Sequence, residues 1–288
     1  MSTHIDQRSI RFDGQVIVVT GAGRGLGATY AKLFAARGGA VVVHDAGVAQ
    51  DGSGFDPSVA DGIVAEITAA GGTAAACYEN LEDAVAAARV VEFAVARFGR
   101  LDVLVHNAGL VVFASLEATN RAVWDRMLSI GVDAPFHLAR AAVPHMRRQG
   151  YGRIIVTTSG RAMRVEHCLP GLIAYSVAKM AQFGFMVGLA AELSDTNIRV
   201  NAISPVAATR VLRRNAPELT PELVAPGVAF LASPACTISG AVLNAAGGRF
   251  SAAWWGRSEG IDLGPTPASP EDIAARWQEI AGSTRSLG

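Results

Sequence analysis

A tyrosine and a lysine stand four positions apart in the segment YSVAK, at Tyr175 and Lys179. On a helix this spacing places both side chains on one face. A phenol ordinarily has a pKa of ~10, and a neighbouring ammonium favours its ionised form. The pair is therefore a candidate for exchanging a proton with an alcohol or carbonyl oxygen. Because the same spacing also occurs on ordinary exposed helices, this chemistry needs support from other residues.

A serine provides part of that support. Ser159 ends the apolar run RIIVTTS, which occupies residues 153 to 159. If the run is a strand of a parallel sheet, Ser159 lies at the carboxyl edge, where open α/β folds bind their ligands. A hydroxyl at this place can hydrogen-bond a reacting oxygen and stabilise the charge that develops on it.

The elements that must position these residues follow from alternating apolar patterns. Short β-branched runs alternate with longer alanine-rich segments of helical periodicity, which predicts a doubly wound parallel sheet with helices on both faces. The predicted strands are 15–20, 40–45, 101–107, 153–159 and 198–204, and the predicted helices are 27–37, 84–98, 121–147 and 174–193. We interpret residues 1–288 as one α/β domain that ends in an irregular C-terminal extension, from about 247 to 288.

A glycine-rich turn follows the first predicted strand. The segment TGAGRGLG, residues 20 to 27, contains Gly21, Gly25 and Gly27, with Arg24 and Leu26 between them. Glycines let the backbone approach a ligand closely, and the start of the next helix offers free N–H groups to a pyrophosphate. The spacing differs from the common G-x-G-x-x-G fingerprint, so a turn without a ligand remains an alternative.

Asp45, at the end of the second predicted strand, is the candidate for selecting the cofactor. It lies about 20 residues after the glycine turn, where an acidic side chain hydrogen-bonds the adenine ribose. A carboxylate there would also repel the 2′-phosphate of NADP, so we expect NAD rather than NADP. Arg24 argues the other way, because a guanidinium near the ribose could bind that phosphate.

The composition disfavours several other classes of function. Lys plus Arg and Asp plus Glu number 25 each, so no net positive charge favours nucleic acid. The 3 cysteines and 6 histidines lack the spacing of a metal or redox site. The first residues contain no apolar leader, and no run is expected to be long enough to cross a membrane. These features predict a soluble, cytoplasmic protein without a nucleic-acid or membrane partner. The small-molecule alcohol or ketone that we expect as substrate follows instead from the chemistry of Tyr175, Lys179 and Ser159.

In their order along the chain, these motifs resemble those of the short-chain dehydrogenase/reductase family over nearly the whole length. The motifs are TGAGRGLG, Asp45, HNAG at 106–109, Ser159, YSVAK and IRVNAISP at 198–205. The resemblance implies a single Rossmann-like, dinucleotide-binding catalytic domain that transfers a hydride between NAD and a carbinol carbon. It further implies that Tyr175 is the general acid/base, that Ser159 positions the substrate oxygen, and that Lys179 lowers the Tyr175 pKa and binds the nicotinamide ribose.

The resemblance also implies a cofactor groove. Its positions correspond here to Gly21, Arg24, Gly25, Leu26, Gly27, Asp45, Asn80, Leu81, Asn107, Ala108, Gly109, Tyr175, Lys179, Pro205 and Ala208. Among them, Asn80 and Leu81 lie where the family holds adenine, and Pro205 opens the segment that would flank the nicotinamide. Family members commonly pair through the helix that follows the tyrosine, which implies a homodimer or homotetramer.

A closer resemblance is to the (3R)-hydroxyacyl-CoA dehydrogenase unit of multifunctional enzyme type 2 and its bacterial relatives. It is carried by RFDGQVIVVTGAG, AVVVHDAG and GGRFSAAWWGRSEG, and it implies a 3-hydroxyacyl-CoA-like or other hydrophobic substrate. Three departures are visible, of which one is Val206, where many relatives have glycine. The other two bear on the site. The segment between Ser159 and Tyr175 is a few residues longer than usual, and Gly131 stands where most members have an asparagine that helps relay protons. The departure at Gly131 leaves open a different class of protein, an NAD(H)-binding redox sensor without turnover.

Overall fold

The computed structural model describes residues 9–49, 52–208, 216–254 and 256–282. The chain divides into two compact units, Met1–Ala253 and Trp254–Gly288. The larger unit contains the sheet and all the predicted site residues. That the whole chain forms one domain stays a prediction.

The larger unit is built on one eight-stranded sheet with the order β3-β2-β1-β4-β5-β6-β7-β8. The strands are β1 (Val16–Thr20), β2 (Ala40–His44), β3 (Thr73–Cys77), β4 (Val103–His106), β5 (Gly152–Thr157), β6 (Ile198–Val206), β7 (Val242–Ala246) and β8 (Arg249–Ala253). Neighbouring strands are parallel except for the antiparallel pair β7 and β8. The sheet grows from β1 in one direction and from β4 in the other, which confirms the doubly wound fold.

Helices connect the strands and cover both faces. They are α1 (Gly25–Ala36), α2 (Ser58–Ala69), α3 (Ala84–Phe98), α4 (Arg121–Leu128), α5 (Ala134–Gln149), α6 (Gly160–Met163), α7 (Ile173–Glu192) and α8 (Ala225–Ala232). A single wide turn, Ser129–Asp133, joins α4 to α5, so the two follow one another as the long helix that the sequence predicts. Helix α3 begins where Asp83 accepts the N–H of Val85 at 2.7 Å, and it ends at the left-handed Gly99.

The central strands β1, β2 and β4 are apolar along nearly their whole length because both faces of the sheet are covered there. In β1, Ile17 and Val19 belong to a core cluster with residues of α1 and α8. The alternate residues Val16 and Val18 belong to a second cluster with residues of α3 and α5. Successive strand side chains point to opposite faces, so a parallel sheet buried on both sides loses the alternation of polar and apolar residues.

The prediction of irregular structure from about residue 247 is wrong for Arg249–Ala253, which form strand β8. Gly247 and Gly248 make the two-residue turn between β7 and β8, with φ of 54° and 79°. Two successive positive φ angles are the requirement of the tight turns that join hairpin strands. The dipeptide Gly-Gly was therefore the signal for this hairpin.

Helix α7 agrees with the predicted helix 174–193 to within one residue at each end. By length and composition alone, its 20 residues are sufficient to span a membrane. Within the fold, however, α7 packs against β5 and β6 and buries the polar side chains of Lys179 and Gln182. These contacts are those of a core helix.

The smaller unit contains two short helices among its described residues, α9 (Pro270–Ala275) and α10 (Trp277–Ala281). Ser269 and Asp272 form a capping box at the start of α9. The Ser258 hydroxyl donates to the carbonyl of Ile280 at 2.6 Å, which ties the preceding segment to α10.

Candidate active site

A cleft of about 830 Å³ lies along the carboxyl edge of the sheet. Parallel register brings the strand ends together there, since Thr20 pairs with His44 on one side and with His106 on the other. The residues predicted from the sequence that line it are Gly21, Arg24, Gly25, Leu26, Asp45, Asn80, Leu81, Asn107, Ala108, Gly109, Ser159, Tyr175, Lys179, Pro205 and Ala208. Gly27 is the exception, because it is buried behind the glycine turn.

The glycine turn is shaped by close approaches of the backbone. A side chain at Gly27 would overlap the carbonyl oxygen of Gly21, and its Cβ would lie 2.6 Å from Nδ2 of Asn107. The same Nδ2 atom donates to the carbonyls of Thr20 and Gly21, at 3.2 and 3.1 Å. Gly21 itself has a φ of +63°, and a Cβ there would lie 2.9 Å from Cα of Ala108. The turn therefore holds the first strand, the first helix and the HNAG segment together.

The start of α1 offers a site for an anion beside this turn. Arg24 precedes the helix and, in the described part of the chain, supplies no side-chain acceptor to its first N–H groups. The first turn also contains no acidic residue. Free N–H groups and the positive end of the helix dipole suit a pyrophosphate, so the cradle fits the dinucleotide that the motifs imply.

Asp45 follows β2 and joins the glycine turn to the loop after that strand. Its two carboxylate oxygens accept the N–H groups of Gly23 and Gly47, at 2.9 and 2.8 Å. Each carboxylate oxygen has a further lone pair for a ribose hydroxyl. Arg24 donates to the carbonyl of Val48 at 3.2 Å, so its guanidinium contacts the loop after β2.

Ser159 and Tyr175 meet on the opposite side of the cleft. Ser159 lies between β5 and α6, Tyr175 lies in the first turn of α7, and each is only 8% exposed. Burial raises the pKa of the Tyr175 phenol above its ordinary value. A hydrogen bond from the Ser159 hydroxyl and the positive charge of Arg161 oppose that rise, because both stabilise the phenolate.

Lys179 lies between the end of β5 and the Tyr175 ring. Its ammonium donates to the carbonyl of Thr157 at 2.7 Å and lies 5.9 Å from the centre of the Tyr175 ring. Burial lowers the pKa of Lys179 to about 8. Ser159 and Arg161 both act to lower the Tyr175 pKa, and the same role for Lys179 stays a prediction.

Gly131 lies in the wide turn between α4 and α5, where α7 leaves no room for a side chain. An ideal Cβ at Gly131 would lie 2.6 Å from the Cβ of Ala178. The asparagine that most family members have at this position would not fit without a shift of α7. In the same turn, the carbonyl of Ile130 contacts Nε2 of His106 at 3.0 Å.

Two residues that sequence reasoning did not select contact the site. His106 bridges Ile130 and the Thr20 hydroxyl, and burial together with the nearby Lys179 charge lowers its pKa to about 3. The imidazole is therefore neutral near pH 7, and its place in HNAG was the available signal. The second is Arg161, two positions after Ser159, whose charge acts on Tyr175.

Comparisons with known proteins agree with this geometry. A family model described as short chain dehydrogenase matches residues 15–218. A putative short-chain type dehydrogenase/reductase of Mycobacterium tuberculosis is 38% identical over 271 residues, covering 92% of this chain and 93% of the relative. The peroxisomal multifunctional enzyme type 2 of Drosophila melanogaster is 37% identical and covers 96% of this chain, which spans only 47% of that enzyme.

Solved structures support the same assignment of fold. A short chain dehydrogenase from Mycobacterium avium superposes with a TM-score of 0.81 at 34% identity, covering 93% of this chain and 95% of the other. Two further similar structures contain nicotinamide cofactors. A metagenomic short-chain oxidoreductase contains NADP (TM-score 0.68, 31% identity, covering 79% and 95%), and a 7α-hydroxysteroid dehydrogenase contains NADH (TM-score 0.74, 30% identity, covering 83% and 95%).

Proposed function

Because the chain belongs to the short-chain dehydrogenase/reductase family of oxidoreductases, we propose that it uses NAD to interconvert a secondary alcohol and a ketone. The observation that carries this proposal is the convergence of three polar side chains on one wall of the cleft. Ser159, Tyr175 and Lys179 are all buried, yet all three line the cleft opposite the glycine turn.

The roles of these residues follow from their contacts. The bound nicotinamide supplies the hydride chemistry. Ser159 and Tyr175 hold the substrate oxygen, and Tyr175 accepts the alcohol proton at its Oη atom or returns it. Lys179, which is mostly an ammonium below its pKa of about 8, binds ribose hydroxyls from its place beside Thr157. The position of Ser159 also allows its hydroxyl to stabilise charge on the reacting oxygen.

NAD is the preferred cofactor in this proposal. The position of Asp45 after β2 supports this choice, because a carboxylate beside the adenine ribose would repel a 2′-phosphate, and like charges at close range cost several kcal/mol. Arg24 supports NADP less than its sequence position indicates, because its guanidinium contacts Val48. Among the similar structures, one contains NADP and another contains NADH, so both cofactors occur among the relatives.

The relatives support a 3-hydroxyacyl group as the substrate skeleton. They include a peroxisomal multifunctional enzyme and hydratase-dehydrogenase-epimerases, of which this chain spans less than half. We also propose a homodimer or homotetramer in the cytoplasm. The exposed apolar side chains Val177 and Val187 on α7 support the oligomer.

Tyr175→Phe tests the catalytic assignment. The variant keeps the ring but loses the proton-transferring oxygen, so we expect kcat to fall by about 100- to 10,000-fold. NAD affinity, measured by calorimetry, should change by less than about threefold, since the hydroxyl contributes at most a hydrogen bond. A fully active Tyr175→Phe protein would refute the assignment. A wild-type protein that binds NADH but turns over no alcohol or ketone would instead support the redox sensor.

A further inference from the structure

The two ends of the cleft differ in charge, because one contains three carboxylates beside Arg24 and the other contains no carboxylate among the described residues. The carboxylates that line it are Asp45, Glu79 and Glu82, all of them on the segments that follow β2 and β3. Around Ser159 and Tyr175, the charged or ionisable lining residues are Arg161, His167 and Lys179. Among the described residues, no acidic side chain lines the cleft at this second end. The region that receives the reacting oxygen therefore favours an anion.

Arg161 is held close to that region by the backbone. Its N–H donates to the Ser159 hydroxyl at 3.3 Å in the short helix α6, which fixes the residue next to the Ser159 and Tyr175 pair. The side chain is partly buried, and it lines the cleft. Its guanidinium is near enough to Tyr175 for the charge to act on the phenol.

The Arg161 guanidinium has no carboxylate partner in the described part of the chain. The acidic residue on the same loop, Glu166, pairs with Arg164 at 3.7 Å instead. A guanidinium presents a planar fork of donors that matches the two oxygens of a carboxylate. A cation with unused donors in a cleft without nearby acidic residues is a binding group for a substrate anion.

We propose that Arg161 binds a carboxylate that the substrate carries close to its carbinol carbon. This inference rests on the proposed function and makes its substrate class a hydroxy acid and the matching oxo acid. In a 3-hydroxy acid the carboxylate carbon is about 2.5 Å from the carbinol carbon, two bonds away. A thioester of the same acid has no charge at this place, so Arg161 selects the free acid.

The reaction balances with NAD as the only co-reactant. The C–H bond of the carbinol breaks and its hydride passes to NAD, while the O–H proton passes to Tyr175 and then to solvent. The hydroxy acid loses two electrons and becomes the oxo acid, and NAD gains both. Arg161 stays ionised throughout and forms no covalent bond.

The test compares Arg161→Gln with wild type on 3-oxobutanoate, on its methyl ester and on its coenzyme A and N-acetylcysteamine thioesters. We expect the ratio of kcat/KM for acid over ester to fall by about 10- to 100-fold, the value of a charge-assisted hydrogen bond. The ratio is the readout because loss of the Arg161 charge also shifts the pH profile for every substrate. Arg161→Lys should retain part of the preference, and the matched control Arg164→Gln should retain all of it.

Equal losses for acid and ester would overturn the proposal, because Arg161 would then act only through Tyr175. A loss confined to the coenzyme A thioester would also overturn it and indicate phosphate binding. Calorimetry of 3-oxobutanoate binding to the Tyr175→Phe protein with NADH separates this proposal from the proposed function. Binding that requires Arg161, together with a wild-type protein that turns over no acid, ester or thioester, supports the carboxylate site and refutes the dehydrogenase. Turnover of esters or thioesters by a protein that does not bind the acid supports the dehydrogenase and refutes the carboxylate site.

Discussion

The two halves of the cleft are built by different means. Around the glycine turn the backbone makes the shape, because added atoms at Gly21 or Gly27 would overlap neighbouring main chain. Across the cleft, the shape depends on buried side chains. Tyr175 and Lys179 are nearly inaccessible to solvent. Burial raises the pKa of Tyr175 and lowers the pKa of Lys179, and both shifts favour the neutral form.

This difference predicts different sensitivities. The glycine turn has no room for added side-chain atoms. Its backbone N–H groups do not titrate near neutral pH, so binding to them should not depend on pH. A site made of buried ionisable side chains should respond strongly to pH and charge, because desolvation penalises the ionised form of every group. The following substitutions probe each half, in order of decreasing expected effect.

Gly27→Ala should give the largest change, in the backbone half. The new methyl group would overlap the Gly21 carbonyl, so we expect the free energy of unfolding to fall by about 3 kcal/mol. NAD affinity should fall at least about 10-fold, since relief of the overlap widens the turn. Chemical denaturation and calorimetry measure the two effects.

Gly62→Ala is the matched control for that variant. Gly62 lies in α2, and nothing lies within 4 Å of the place its Cβ would take. Alanine there should stabilise the protein by about 0.5 to 1 kcal/mol through helix propensity. If Gly27→Ala were as stable as wild type and bound NAD equally well, the turn would have room, and the contrast between the halves would fail.

Asp45→Ser should change cofactor choice by the next largest amount. Removing the carboxylate removes the repulsion of a 2′-phosphate, so the ratio of kcat/KM for NAD over NADP should fall by about 30- to 100-fold. Glu82→Gln is the control, since Glu82 lines the same end of the cleft but pairs with Arg126 at 3.3 Å. A wild-type preference for NADP would contradict the role of Asp45.

Much of this arrangement could be predicted from the sequence. The site residues lie at the ends of apolar strands, and parallel pairing brings all such ends to one edge, so Ser159 and Asp45 could be placed without coordinates. The helical spacing of Tyr175 and Lys179 was equally readable. Strand β3, with the sequence TAAAC, was not predicted, because alanine carries little β-propensity and its pairing with β2 decides the conformation.

What the sequence could not predict depends on distances between separate elements. The i,i+4 spacing does not reveal that the Lys179 ammonium donates to the Thr157 carbonyl at the end of β5. Nor does it reveal that α7 passes too close to Gly131 for a side chain. Each of these contacts joins two residues that are more than 20 positions apart in the chain. A local sequence pattern contains no information about such contacts.

Lys179→Met should remove a pH dependence that originates in the side-chain half. Folding lowers the lysine pKa from 10.5 to about 8, so the unfolded chain binds more protons between these values. The stability of the wild type should therefore rise with pH in this window, by about 2 kcal/mol between about pH 7 and 9.5. Denaturation at several pH values measures the difference between wild type and variant, and parallel curves would show that Lys179 keeps its ordinary pKa.

Gly131→Ala should give the smallest effect, and it tests whether the side-chain half also contains a backbone constraint. The methyl group would press on Ala178, beside Lys179, and we expect a loss of about 1 kcal/mol in unfolding free energy after α7 adjusts. Ala178→Gly removes the opposing methyl, so the same substitution in that background should cost at least about 0.5 kcal/mol less. A positive coupling would explain Gly131 by the approach of α7. An equal cost in both backgrounds would locate the constraint in the wide turn itself, where the Ile130 carbonyl meets His106.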